Sequence, residues 1–277
     1  MSFLTQKAKP EKKKDVERCF GKKSFLVGLL VILTCTYLQY VIPGLNFVSG
    51  ALLVYGVPII VTGLIWGRTI ISKAFNQMST ALRYGLGSFG VFTIVGLAAT
   101  VVILYFLAIF DPAATNLLHK PNPVLQVSPE LAWFMVALSF LVVGPSEEYL
   151  FRGFVFGGLM KVFKGRHWLF LALISSIFFA GVHLYYAIVY GVASSVQFAD
   201  LITFGMAMAT TYYVSGGNLL VPAMIHGAYD ATAYVGVATA SSIGVLLRVG
   251  MIALGLIVAV FVFWRKKPHK PADKAID

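Results

Sequence analysis

Gly144-Pro145-Ser146-Glu147-Glu148-Tyr149-Leu150-Phe151-Arg152-Gly153 is the stretch that decides how this chain is read, because it sets two adjacent carboxylates and an arginine in otherwise continuous hydrocarbon. A charged side chain at bilayer depth costs at least about 2.5–3.5 kcal/mol, so charges there mark a functional site by default. On a helix Glu148 and Arg152 are four residues apart on one face, where they can pair. Glu147 points about 100° away and has no partner at that spacing. The expectation is one carboxylate held by a salt bridge and one free for chemistry.

Outward from this stretch, composition sets the frame. Of 277 residues 58% are hydrophobic and only 12% charged, with a mean hydropathy of +0.83, far from the range of a soluble globular domain. The chain reads as an all-α integral membrane protein. An excess of 22 Lys and Arg over 11 Asp and Glu would suit nucleic acid, but the positives sit in tails and short loops, which is how topology signals are placed. No nucleic-acid partner is expected; the bilayer is. Cys19 and Cys35 form neither a disulfide framework nor a metal spacing. No cleavable signal peptide is expected, since the first apolar run is long enough to span and no small-residue cleavage site follows it.

Apolar runs at 24–42, 48–66, 84–110, 129–163, 168–190, 198–214, 218–236 and 240–264 predict eight transmembrane helices. With the N-terminus cytoplasmic, nineteen of the 22 Lys and Arg fall inside, which obeys the positive-inside rule and puts both termini in the cytoplasm. In a prokaryote the membrane would be the cell membrane. The expected organisation is a basic tail over 1–23, an eight-helix domain over 24–264 with its motif core at 129–236, and a basic tail over 265–277. The fourth segment would make a helix of about 52 Å against a hydrocarbon core of about 30 Å. It must extend beyond the membrane or break, and Gly144-Pro145 is the natural break, with Ser146 capping a fresh helix start. Broken helices at depth occur where they line an enclosed or watery cavity.

Two of five histidines, His183 and His226, lie within spans. The fourth and fifth segments form a hairpin about Gly165, with Glu147 and His183 each eighteen residues from it, so the two side chains are expected at one depth. Phe179, one turn before His183, is placed to buttress its ring. His226 and Asp230 are again four apart on one face. The carboxylate there can fix the tautomer of the imidazole, aim a hydrogen-bonding pair at a substrate, or supply half of a metal site. Asp200 and Arg248 read as structural, facing headgroups or lipid phosphate.

The sequence Glu147-Glu148-Tyr149-Leu150-Phe151-Arg152, then Phe179-Ala180-Gly181-Val182-His183, then His226-Gly227-Ala228-Tyr229-Asp230 resembles the three motifs of the CAAX protease and bacteriocin-processing (Abi) family, which includes the type II CAAX prenyl endopeptidase. The resemblance implies an eight-helix intramembrane endopeptidase with a conical cavity, cleaving a peptide bond near a lipidated or membrane-held C-terminus without an acyl-enzyme. It implies that Glu147 and His183 activate water, that Glu148 and Arg152 support them, and that His226 with the residue four later stabilises the oxyanion. That later residue is often Asn in the family; here it is Asp230, and an ionised Asp cannot donate to an oxyanion. The partner implied is a prenylated or otherwise membrane-associated peptide, entering from the cytoplasm or inner leaflet. No cofactor is expected. The alternative chemistry is a divalent metal such as zinc bound by His183, His226, Asp230 and Glu147. A non-catalytic scaffold or immunity protein and a transporter are the alternatives outside proteolysis, the last ranking lower because no inverted repeat is visible.

Overall fold

The structure is a computed structural model and describes residues 21–120 and 122–264. The tail before Gly21, with Cys19, and the tail from Arg265 onward lie outside the described residues. The described chain is all helix with no strand. Its rods are α1 (Lys22–Leu38), α2 (Val48–Ser72), α3 (Met78–Phe110), the short α4 (Pro112–Leu117), α5 (Pro129–Val162), α6 (Trp168–Val182), α7 (Tyr185–Val214), α8 (Leu220–Ala238) and α9 (Ile243–Trp264). Five of them, α2, α3, α5, α7 and α9, are by length and composition able to cross a membrane.

Burial is inverted relative to a water-soluble protein. Leu64, Phe110 and Leu141 are 84%, 77% and 75% exposed, while Glu148 and Arg152 are 0% and 1% exposed. Large apolar side chains facing outward from a charged interior are what a hydrocarbon solvent demands. With lipid outside, the rods gain little from burying more hydrocarbon and associate through close packing of small residues instead. Gly90 of α3 lies against Gly255 and Leu256 of α9, where an added Cβ would sit 2.5 Å from the Leu256 nitrogen. Gly144 of α5 and Gly227 of α8 make a similar crossing, with backbone of the other rod within 2.5–3.0 Å of each would-be Cβ.

α5 does not break at Gly144-Pro145. It runs on through all 34 residues, about 51 Å at 1.5 Å per residue, with π-helical stretches at Ser139–Val143 and Glu148–Phe156 on either side of Gly144–Glu147. A π-turn shifts the hydrogen-bond register by one residue and so absorbs the N–H that Pro145 lacks. The Ser175 hydroxyl of α6 donates to the Phe151 carbonyl at 3.2 Å, satisfying a group in the widened segment. Ser146 is therefore a helix-interior residue and caps nothing.

The expected fifth segment, 168–190, also divides differently. α6 stops at Val182 with His183 as its C-terminal cap, and residues 185–190 open α7, which bends through a 3₁₀ turn at Gly191–Ser194. Hydropathy is unbroken across this turn, so composition alone could not place it.

One end of the bundle is basic and aromatic. The side-chain amide of Asn218, in the α7–α8 turn, donates to the Asn76 carbonyl of the α2–α3 turn at 2.6 Å. The Lys161 ammonium sits 5.4 Å from the Trp66 ring, and Trp168 stacks on Tyr213 at 4.5 Å. These contacts gather the α2–α3, α5–α6 and α7–α8 turns on one side, the pattern of an interfacial belt.

Candidate active site

The charges of α5 meet at His226 of α8. Glu148 Oε1 accepts from Arg152 Nη1 at 2.8 Å, the i,i+4 pair expected from spacing, and also lies 2.7 Å from His226 Nδ1. A carboxylate that takes an arginine hydrogen bond is acceptor-only, so His226 Nδ1 carries a proton and donates to it. This fixes the ring and turns Nε2 toward Glu147 Oε2 and Asp230 Oδ2, each 3.6 Å away. Adjacent carboxylates that diverge around the α5 axis thus bracket one imidazole, one on each nitrogen.

Glu147 is not free of partners. Its Oε1 accepts from the Tyr55 hydroxyl of α2 at 2.7 Å. Tyr55 has no place in the sequence reading; its only signal is a hydroxyl-bearing ring beside Gly56 in an aliphatic run, too weak to single out.

Phe179 is the hub of the aromatic packing. Its ring meets His183 at 4.8 Å, Phe151 at 5.0 Å and His226 at 6.0 Å, and the Arg152 guanidinium carbon lies 4.5 Å from its centroid. The cation is thereby shared between Glu148 and a π face. His183 donates from Nδ1 to the Phe179 carbonyl at 2.8 Å, which leaves its Nε2 as an acceptor. It lines the same cavity as Glu147, but the imidazole against Glu147 is His226.

That cavity has a volume of about 1220 Å³, and its walls include Tyr55, Glu147, His183, His226 and Asp230 among mostly apolar and aromatic side chains. They also include Tyr40, Asn46, Asn122 and Leu125, from the connections at the end of the bundle opposite the basic turns. The cavity accordingly reaches the end of the bundle away from the basic turns.

Asp200 and Arg248 are on the cavity wall as well. The Tyr229 hydroxyl donates to Asp200 Oδ2 at 2.8 Å, and the Arg248 guanidinium lies 4.2 Å from the Tyr229 centroid. Of the residues named as possible zinc ligands, Glu147, His226 and Asp230 are neighbours, yet among the described residues no group of three or more His, Cys, Asp or Glu has the geometry to hold a metal ion.

No curated protein and no solved structure matches the chain. Residues 129–232, which contain Glu147, Glu148, Arg152, Phe179, His183, His226 and Asp230 but neither Tyr55 nor Arg248, match the family described as Type II CAAX prenyl endopeptidase Rce1-like.

Proposed function

We propose that this protein is an intramembrane endopeptidase of the CAAX prenyl protease type, cutting a peptide held at the membrane with a water molecule as nucleophile. The observation that carries the reading is the approach of His226 Nε2 to Glu147 Oε2 and Asp230 Oδ2, both at 3.6 Å, on the wall of a large apolar cavity. That separation exceeds a direct hydrogen bond but lets one water touch all three groups. Glu147, held by Tyr55, takes the proton of that water as it attacks the scissile carbonyl. His226, held by Glu148 and through it by Arg152, offers Nε2–H to the developing oxyanion when it carries both ring protons. Asp230 orients that ring from the cavity side. His183, with Nε2 as an acceptor on the same wall, is placed to receive the proton that Glu147 takes from water and pass it to the leaving amine. The scheme needs no cofactor and no covalent intermediate.

All eight long rods are read as spans, with α1, α6 and α8 completing the bundle around the five that meet the length and composition measure unaided. By the positive-inside rule the basic end is cytoplasmic, so the cavity receives its substrate from the opposite face or leaflet. The test is cleavage of farnesylated and unprenylated peptides by purified protein, beside Glu147→Gln. Turnover abolished by Glu147→Gln with an unchanged melting temperature is expected. Full activity in that variant, or no cleavage by the parent, would refute the proposal.

A further inference from the structure

We infer that Arg248 of α9 is a binding site for the free C-terminal carboxylate of the peptide substrate. The inference rests on the endopeptidase reading above and adds to it the chemistry of the substrate's end.

Arg248 is the one lysine or arginine among the described residues lining the cavity, whose wall otherwise carries the acids Glu147, Asp200 and Asp230. It is half-buried and oriented on three sides. Nε donates to Thr232 Oγ1 at 3.0 Å, Nη2 donates to the Tyr229 carbonyl at 3.3 Å, and the guanidinium packs over the Tyr229 ring. No carboxylate among the described residues forms an ion pair with it. Asp200, the acid closest to it along this chain of contacts, is taken up by the Tyr229 hydroxyl instead. A guanidinium fixed in direction, with no carboxylate in direct contact and Nη1 uncommitted, is suited to a carboxylate, the planar two-oxygen partner that matches its fork. A low-dielectric wall strengthens that attraction relative to water.

Its position along α8 sets the register. The groups that hold the guanidinium belong to Tyr229 and Thr232, three and six residues past His226, hence about 4.5–9 Å further along the helix axis. Extended peptide advances about 3.3–3.6 Å per residue. A terminal carboxylate on Arg248 therefore leaves the bond facing His226 and Glu147 roughly one to three residues upstream. This arrangement would make the protein selective for free chain ends over internal loops.

The experiment measures binding apart from turnover. A fluorescent farnesylated hexapeptide ending in a free carboxylate, and the same peptide as its C-terminal amide, are titrated by anisotropy into detergent-solubilised Glu147→Gln protein. The acid form should bind about tenfold more tightly, the scale of one charge-assisted contact. Glu147→Gln/Arg248→Gln should bind the two forms alike, and Glu147→Gln/Arg248→Lys should recover part of the difference. Equal affinity for acid and amide in Glu147→Gln, the result if Arg248 only meets lipid phosphate, overturns the inference, as does a preference that survives Arg248→Gln or no binding of either peptide. Cleavage of both peptides by the parent protein would keep the endopeptidase reading even then. An intact acid preference without cleavage would sink that reading and leave the anion site standing.

Discussion

Replacing Arg152 by Ala tests the charge network at its least exposed point. Arg152 is 1% exposed and Glu148 0% exposed, and the 2.8 Å bond between them is what neutralises Glu148. Without the arginine, Glu148 keeps the His226 Nδ1 hydrogen bond on Oε1, while Oε2 already has no partner among the described residues. A full negative charge would then sit uncompensated in a dry interior, and the Phe179 face would lose its cation. Breaking a buried pair from one side costs about 3–5 kcal/mol. At about 2–4 °C per kcal/mol for a chain of roughly this size, the melting temperature should fall by roughly 6–20 °C, read from intrinsic tryptophan fluorescence in detergent. The double variant Glu148→Gln/Arg152→Met removes both charges and keeps an amide oxygen for His226 Nδ1, so it should regain most of that loss. An Arg152→Ala protein melting within about 2 °C of the parent would refute the reasoning, and so would a double variant no more stable than the single one.

Tyr55→Phe deletes the hydroxyl that holds Glu147 Oε1; a hydrogen bond to a charged group is worth about 1.5–3 kcal/mol, so melting should fall by roughly 3–12 °C and kcat should fall as Glu147 loses its orientation, and an unchanged kcat would remove Tyr55 from the mechanism. Asp230→Asn should retain or raise activity, and chelators should have no effect on parent or variant, because the scheme asks Asp230 only to orient His226; stoichiometric zinc lost together with activity in Asp230→Asn, and restored by added metal, would favour the metal-dependent chemistry. Gly227→Ala puts a Cβ 2.7 Å from the Ser139 carbonyl oxygen and 2.9 Å from Phe140 Cα, so α5 and α8 must part at an overpacking cost of about 1–3 kcal/mol; both melting temperature and turnover should fall, and a silent substitution would show that the crossing tolerates expansion. A cysteine at Asn122 should react with an impermeant thiol reagent from the non-cytoplasmic side; labelling from the cytoplasm alone would reverse the topology and the side from which substrate enters.

Much of this architecture was legible before any coordinates, because its causes are local. A chain of this hydropathy has no soluble fold open to it, and Glu147, Glu148 and Arg152 in hydrocarbon can hardly be ornamental. The periodicity of the α-helix alone pairs Glu148 with Arg152 and sets His226 beside Asp230, and both contacts are present. The buttressing of His183 by Phe179 follows from the same spacing.

What only the tertiary structure decided involves groups far apart in the chain or a helix whose register departs from 3.6. Seventy-eight residues separate Glu148 from His226, and ninety-two separate Tyr55 from Glu147; no periodicity reports such pairs, since they depend on how α2, α5 and α8 cross. Gly144-Pro145 has the look of a break in sequence, but π-turns on both sides carry the helix through it. Arg248 and Asp200 read as lipid-facing because hydropathy does not say which side of a rod faces inward, and packing against Tyr229 turns both toward the cavity. Local chemistry specified which side chains can pair along a helix, and the crossing of helices, governed by small residues such as Gly144 and Gly227, specified which of them meet across helices.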